Sequence, residues 1–176
     1  AGYGFYDDAC YKFFLLPLLH CLGAFHVCLH AYCLLSDRVL LLCTPQSGSG
    51  LHKLITHLNY SYSEYFNTRF RRATMVWDSA YSRHGVAGDN EVLQVQKFIE
   101  RLPVCRRLVT HAGVYQWSSY CCNSFGRPGS FLTPHPAFSR FLAQVDENPF
   151  AACRAFIATE LESRASCRNY PYLDKG

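Results

Sequence analysis

Tyr60, Tyr62 and Tyr65 follow His52 and His57 closely enough to offer hydroxyl nucleophiles with imidazole bases on one predicted helix. The same stretch repeats Leu51, Leu54, Ile55 and Leu58, and tyrosines at helical spacing beside leucines more often pack in the core or along its rim. His26 and His30 fall on one face of a predicted strand, where two imidazoles could bind a metal. No carboxylate stands near them in sequence, so ordinary packed histidines are the plainer reading. The ten cysteines contain no Cys-x-x-Cys pair and no Cys/His quartet at zinc spacing. Most lie in apolar runs, which predicts buried free thiols acting as small hydrophobes in a reducing cytoplasm.

The element best placed to position such groups is a hairpin over residues 26–44, two apolar runs flanking the polar break Ser36-Asp37-Arg38. It predicts two central strands. Cys28, His30, Tyr32 and Leu34 should share one face of the first strand, and Arg38, Leu40 and Leu42 one face of the second. Before it, Asp7 and Asp8 lead into a helix from about Ala9 to Cys21, which Pro17 should kink or cut. After it, a Pro/Gly/Ser loop at 45–50 precedes a long helix from Leu51 to Phe70 with an apolar stripe through Leu58, Tyr62 and Phe66, ended by Arg69, Arg71 and Arg72. A further helix is expected from Glu91 to Arg101, capped by Asp89-Asn90-Glu91, stopped by Pro103 and striped by Val92, Val95, Ile99 and Leu102. The last helix should run from Asn148 to about Ser163, with a loosely held tail beyond it.

Five segments in register carry a family resemblance. Residues 29–42 resemble the strand-turn-strand of the REP-associated tyrosine transposases, members of the HUH single-strand nucleases, in which the stretch reads His-Ala-Tyr-x-Leu-Met-x-Asn-His-Val-His-Leu-Leu-Leu. Met75 to Arg83 is similar to the family's Leu-Trp-Glu-Gly-Arg-Tyr-Arg segment, with Trp77, Asp78 and Tyr81 matching in kind and Ala80 and Ser82 standing at arginine positions. Phe98 to Pro103 resembles its Tyr-Ile-Glu-Leu-Asn-Pro. Tyr115 to Tyr120 and Leu132 to Pro136 match two more of its motifs, so the likeness spans roughly residues 5–145. It implies an α+β fold with a mainly antiparallel central sheet flanked by helices, the ferredoxin-like HUH fold. Residues 1–147 would form the transposase-like domain, with the family's first strand missing, and residues 148–176 a C-terminal helix and tail.

The family's chemistry needs a divalent metal, Mg²⁺ or Mn²⁺, held by two histidines and an asparagine. It also needs a tyrosine that attacks the DNA phosphodiester and forms a covalent 5′-phosphotyrosine. On this chain the histidine positions are Arg38 and Leu40, the tyrosine position is Phe98 and the asparagine position is Leu102. No His-x-His occurs anywhere. Arginine places a fixed positive charge where a cation should sit, leucine offers no lone pair, and phenylalanine lacks the hydroxyl. The resemblance therefore implies an inactive homologue without metal cofactor, in which Leu40, Phe98 and Leu102 pack together as core. What is left of the family's role is weak binding of hairpin or single-stranded DNA by Arg69, Arg71, Arg72, Trp77, Tyr81 and Arg83. The rival role is an interaction or assembly protein, binding a protein partner or a second copy without DNA.

The 176 residues suit one domain with an ample core at 49% hydrophobic content. A net charge of +4 permits a polyanionic partner without requiring one. The apolar stretch from Phe13 to Phe25 is broken by Pro17, His20 and Gly23, too short to span a bilayer, and lacks a basic n-region. The expected location is cytoplasmic, with no membrane partner.

Overall fold

A computed structural model of the chain describes residues 4–73, 75–77, 81–127, 131–146 and 148–159. It is an α+β protein: a two-stranded antiparallel sheet and six α-helices among the described residues. The chain divides into two compact units, one containing residues up to Leu29, Leu34–Val39 and Cys43–Tyr81, the other His30–Cys33, Leu40–Leu42 and the chain from Ser82 onward.

In the first unit α1 (Asp8–Ala24) begins where the Asp7 side chain accepts a hydrogen bond from Cys10 N at 3.1 Å. Its buried residues, Cys10, Phe14, Leu18, Cys21 and Leu22, recur at helical spacing. Helix α1 runs on through Pro17, so the proline does not cut it in two. The proline removes one backbone donor, but Phe14 and Leu18 on either side are anchored in the core and α1 packs on α2, which outweighs the lost bond. Helix α2 (Gly50–Phe70) buries Leu54, Leu58, Tyr62 and Phe66 and leaves Leu51, Ile55 and Tyr65 half-buried. It must start with glycine, since a Cβ at Gly50 would stand 2.7 Å from Phe25 O.

The hairpin consists of β1 (Val27–Leu35) and β2 (Arg38–Pro45), joined by the two residues Ser36 and Asp37. Gly4 N and Phe5 N both donate to Ser36 O, at 2.7 and 3.1 Å, tying the chain's beginning to this turn. Every residue of β1 except Cys28 is buried, so both its faces are covered, whereas in β2 only Leu42 is buried. The expected larger sheet is absent among the described residues. An isolated antiparallel bridge joins Cys33 to Ser118. The described part of Met75 to Arg83 forms no strand, and Asp78, Ser79 and Ala80 lie outside the described residues.

The second unit is built around α3 (Asp89–Cys105), which runs past the predicted stop at Pro103. Pro103 is itself fully buried, and the last turn closes on Arg106 N and Leu108 N, which donate to Leu102 O and Pro103 O. Residues 95–100 are buried on every side of the helix, more than the predicted stripe of Val92, Val95, Ile99 and Leu102 provides. Around α3 stand α4 (Tyr120–Phe125), α5 (Pro136–Ala143) and α6 (Pro149–Ala158). Helix α6 packs on α3, α4 and α5. Its expected residues 160–163 lie outside the described residues. Ala112, Tyr120, Phe138, Cys153 and Ile157 form the core between these elements. The all-thiol expectation is corrected at Cys105, which is disulfide-bonded, while Cys10, Cys21, Cys28, Cys33, Cys43, Cys121, Cys122 and Cys153 are free.

Phe98 is fully buried, so Phe98→Ala is expected to cost roughly 3–5 kcal/mol, measured by urea denaturation. Leu40 is half-exposed on β2, and Leu40→Ala should cost about 1 kcal/mol or less, because little of its surface leaves water on folding. Equal costs at the two positions would contradict this assignment of core and edge.

Candidate nucleic-acid interface

The four positions that would carry cleavage differ in burial. Phe98 and Leu102, one turn apart on α3, are 1% and 0% exposed. Leu40 is only half-buried, a correction to its expected place in the core, because β2 is the outer strand of the pair. Arg38 opens β2 and directs Nε and Nη2 to Asp37 Oδ2 at 3.1 and 3.0 Å, so the adjacent carboxylate balances its charge.

The basic and aromatic residues expected to hold DNA have different surroundings. Arg69 is clamped by Asp7, Nη1 to Oδ1 at 3.0 Å and Nη2 to Oδ2 at 2.5 Å, and Nη1 also donates to Tyr65 Oη at 2.7 Å. This bidentate pair holds the Asp7 carboxyl below its usual range and raises the Arg69 guanidinium. Trp77 is half-buried in an aromatic cluster, stacked on Tyr62 at 4.9 Å and tilted against Phe5 at 5.5 Å. Its ring serves packing. Arg72 is exposed with its guanidinium over the Tyr6 and Phe66 rings at 5.6 and 5.7 Å. Arg71 is exposed at the left-handed C-cap of α2, φ 51° and ψ 48°, its N–H donating to Asn67 O. Arg83 is exposed and Tyr81 half-buried, with the Tyr81 ring 6.5 Å from that of His52. Among the described residues no ion pair engages Arg71, Arg72 or Arg83.

The tyrosines and histidines that could pair as nucleophile and base, and the histidines that could bind a metal, have their own surroundings. The fully buried Tyr62 donates its hydroxyl to Gly4 O at 2.7 Å, and burial raises its pKa, so it holds its proton. Tyr65 stacks on Phe13 at 3.7 Å, and Tyr60 is exposed. His57 packs edge-on against Phe25. His26 precedes β1 with φ 51°, so it does not share the strand face of His30. His30 is buried, its Nδ1 2.6 Å from Thr133 O, and burial lowers its pKa. Its ring meets His135 edge-on at 4.8 Å, while His135 Nδ1 caps α5 by accepting from Ala137 N. Among the described residues no group of three His, Cys, Asp or Glu side chains is arranged to hold a metal, and no helix is long and apolar enough to cross a membrane.

The polar centre that the sequence did not reveal is Glu100. It is 0% exposed, and Oε1 accepts from Ser119 Oγ at 2.7 Å and Asn123 Nδ2 at 2.6 Å. Asn123 Nδ2 also donates to His30 O, and Ser119 Oγ accepts from Tyr32 N at 3.0 Å. The titratable groups that feel its charge are Tyr32 and Cys33 on β1, Tyr120 and Cys122 on α4 and Cys153 on α6, none of them cationic. Burial raises the Glu100 carboxyl to about 7, against the pull of its two donors. Glu-x-x-Pro on an apolar helix gives no sign of this. Only the distance to Ser119 and Asn123 does.

A carboxyl whose pKa is raised on folding favours the native state fully below its unfolded value of 4.5, and that contribution is lost as pH rises through about 7. Stability should accordingly fall by about 3 kcal/mol between pH 4.5 and 8 from this group. In Glu100→Gln that component should vanish, read as a flatter profile of urea midpoint against pH. No protein-family model matches the chain, and no curated protein or solved structure matches it.

Proposed function

We propose that the chain is a catalytically inactive transposase-like domain of the ferredoxin-like HUH kind, binding hairpin or single-stranded DNA weakly. The observation that carries the inactive part is the burial of Phe98 and Leu102. The positions that the resemblance gives to nucleophile and metal ligand are apolar and closed to solvent, so neither a phosphodiester nor a hydrated Mg²⁺ or Mn²⁺ has a route or a lone pair there. The binding part rests on Arg71, Arg72 and Arg83, exposed cations that no ion pair neutralises among the described residues. The clamp of Asp7 on Arg69 and the packing of Trp77 withdraw two of the residues expected to contact DNA. A second reading, an assembly protein that reuses the fold without DNA, draws on the half-exposed apolar outer strand β2.

A titration of fluorescent single-stranded and hairpin DNA separates the two. Three phosphate contacts give a log–log salt slope of about −2 on single strands, at roughly 0.7 per contact. Binding should be measurable at low salt and nearly lost at physiological salt. An Arg71/Arg72/Arg83→Ala variant should bind at least tenfold more weakly, while Arg69→Ala changes little because its charge is already balanced. No binding by the parent at low salt, together with a dimer in sedimentation, would put the assembly reading in its place. A covalent protein–DNA adduct formed with Mg²⁺ or Mn²⁺ would refute the inactive one.

A further inference from the structure

Helix α3 carries Gln96 and Glu100 one turn apart, 2% and 0% exposed. Residues four apart on a helix are surface neighbours, with Cβ atoms about 5–6 Å from each other. Glu100 Oε1 is satisfied by Ser119 and Asn123, but Oε2 has no partner, and neither Oε1 nor Nε2 of Gln96 has one. Buried polar atoms without partners are rare and costly. Three on adjacent turns of one helix point to a common guest.

We propose that Gln96 and Glu100 line an internal site for one water molecule, which bridges the second carboxyl oxygen to the Gln96 amide. Water suits this site because it both donates and accepts. It complements the amide oxygen, the amide nitrogen and the carboxyl in either protonation state. A metal ion does not suit it: the titratable groups around Glu100 are tyrosines and thiols whose pKa values burial raises, so they hold their protons. An anion is opposed by the same set, which offers no positive charge. The site also explains how a carboxyl can be enclosed without a cation. Oε1 is held by side chains of the fold, and Oε2 by a molecule that can turn to match it.

The test is ¹⁷O water relaxation dispersion on the full chain, which reports internal waters of long residence, for the parent and for Gln96→Met. Methionine keeps the length of the side chain and removes both polar atoms. The variant is expected to lose one long-lived water relative to the parent. An unchanged dispersion amplitude would overturn the proposal. If Gln96→Met does not fold, a crystal structure of the parent decides. A solvent peak within hydrogen-bond distance of both side chains supports the bridge, and a direct Gln96 amide to Glu100 carboxyl bond refutes it.

Discussion

The second unit depends on an enclosed carboxyl group that no cation pairs among the described residues. Glu100 accepts from Ser119 and Asn123, and these two residues turn their remaining hydrogen-bonding capacity to the strand, Ser119 to Tyr32 and Asn123 to His30 O. Ser119 N adds a backbone bond to Tyr32 O, next to the bridge between Cys33 and Ser118. The β1 edge away from β2 therefore presents its peptide groups to the start of α4 rather than to a third strand. An uncovered strand edge exposes a row of unpaired donors and acceptors. Here Ser119, Asn123 and the bridge to Ser118 take up peptide groups of His30, Tyr32 and Cys33 along that edge, and among the described residues no third strand is built there.

Much of the secondary structure was legible because it follows from periodicity and punctuation. The hairpin, α1, α2 and α3 stand where their apolar patterns and Asp7 place them, within a few residues at each end, and α6 begins where Asn148 places it. Neither proline ends its helix, and the reason is the same in both. Pro17 and Pro103 each remove a single backbone bond, and the burial of Phe14 and Leu18, or of Ile99 and Leu102, outweighs it, a tertiary effect that no local window contains. The site was less legible for a related reason. Arg69 looked like a free cation at a helix end because Asp7 is 62 residues away in sequence. Glu100 looked like an ordinary polar position on a helix, since its partners Ser119 and Asn123 lie 19 and 23 residues on.

How the arginines are used bears most directly on what the protein can hold. A net charge of +4 suggests a mild attraction for polyanions, but Arg38, Arg69 and Arg140 are each paired with an aspartate, at 37, 7 and 89. Arg101 is turned to the carbonyls of Ile157, Ala158 and Thr159 at the end of α6, where a cation offsets the helix dipole. Arg154 donates to Ser124 O and lies over the Phe125 ring. The cations left for a phosphate are thus fewer than composition suggests, and exposed pairs of this kind add little stability. Arg72 differs from these. Its guanidinium lies over the Tyr6 and Phe66 rings, 5.6 and 5.7 Å from their centroids, a cation–π contact that restrains the side chain. A guanidinium restrained against aromatic rings gives up part of its conformational entropy before any ligand arrives, so an anion meeting it would lose less to ordering than one meeting a freely rotating lysine.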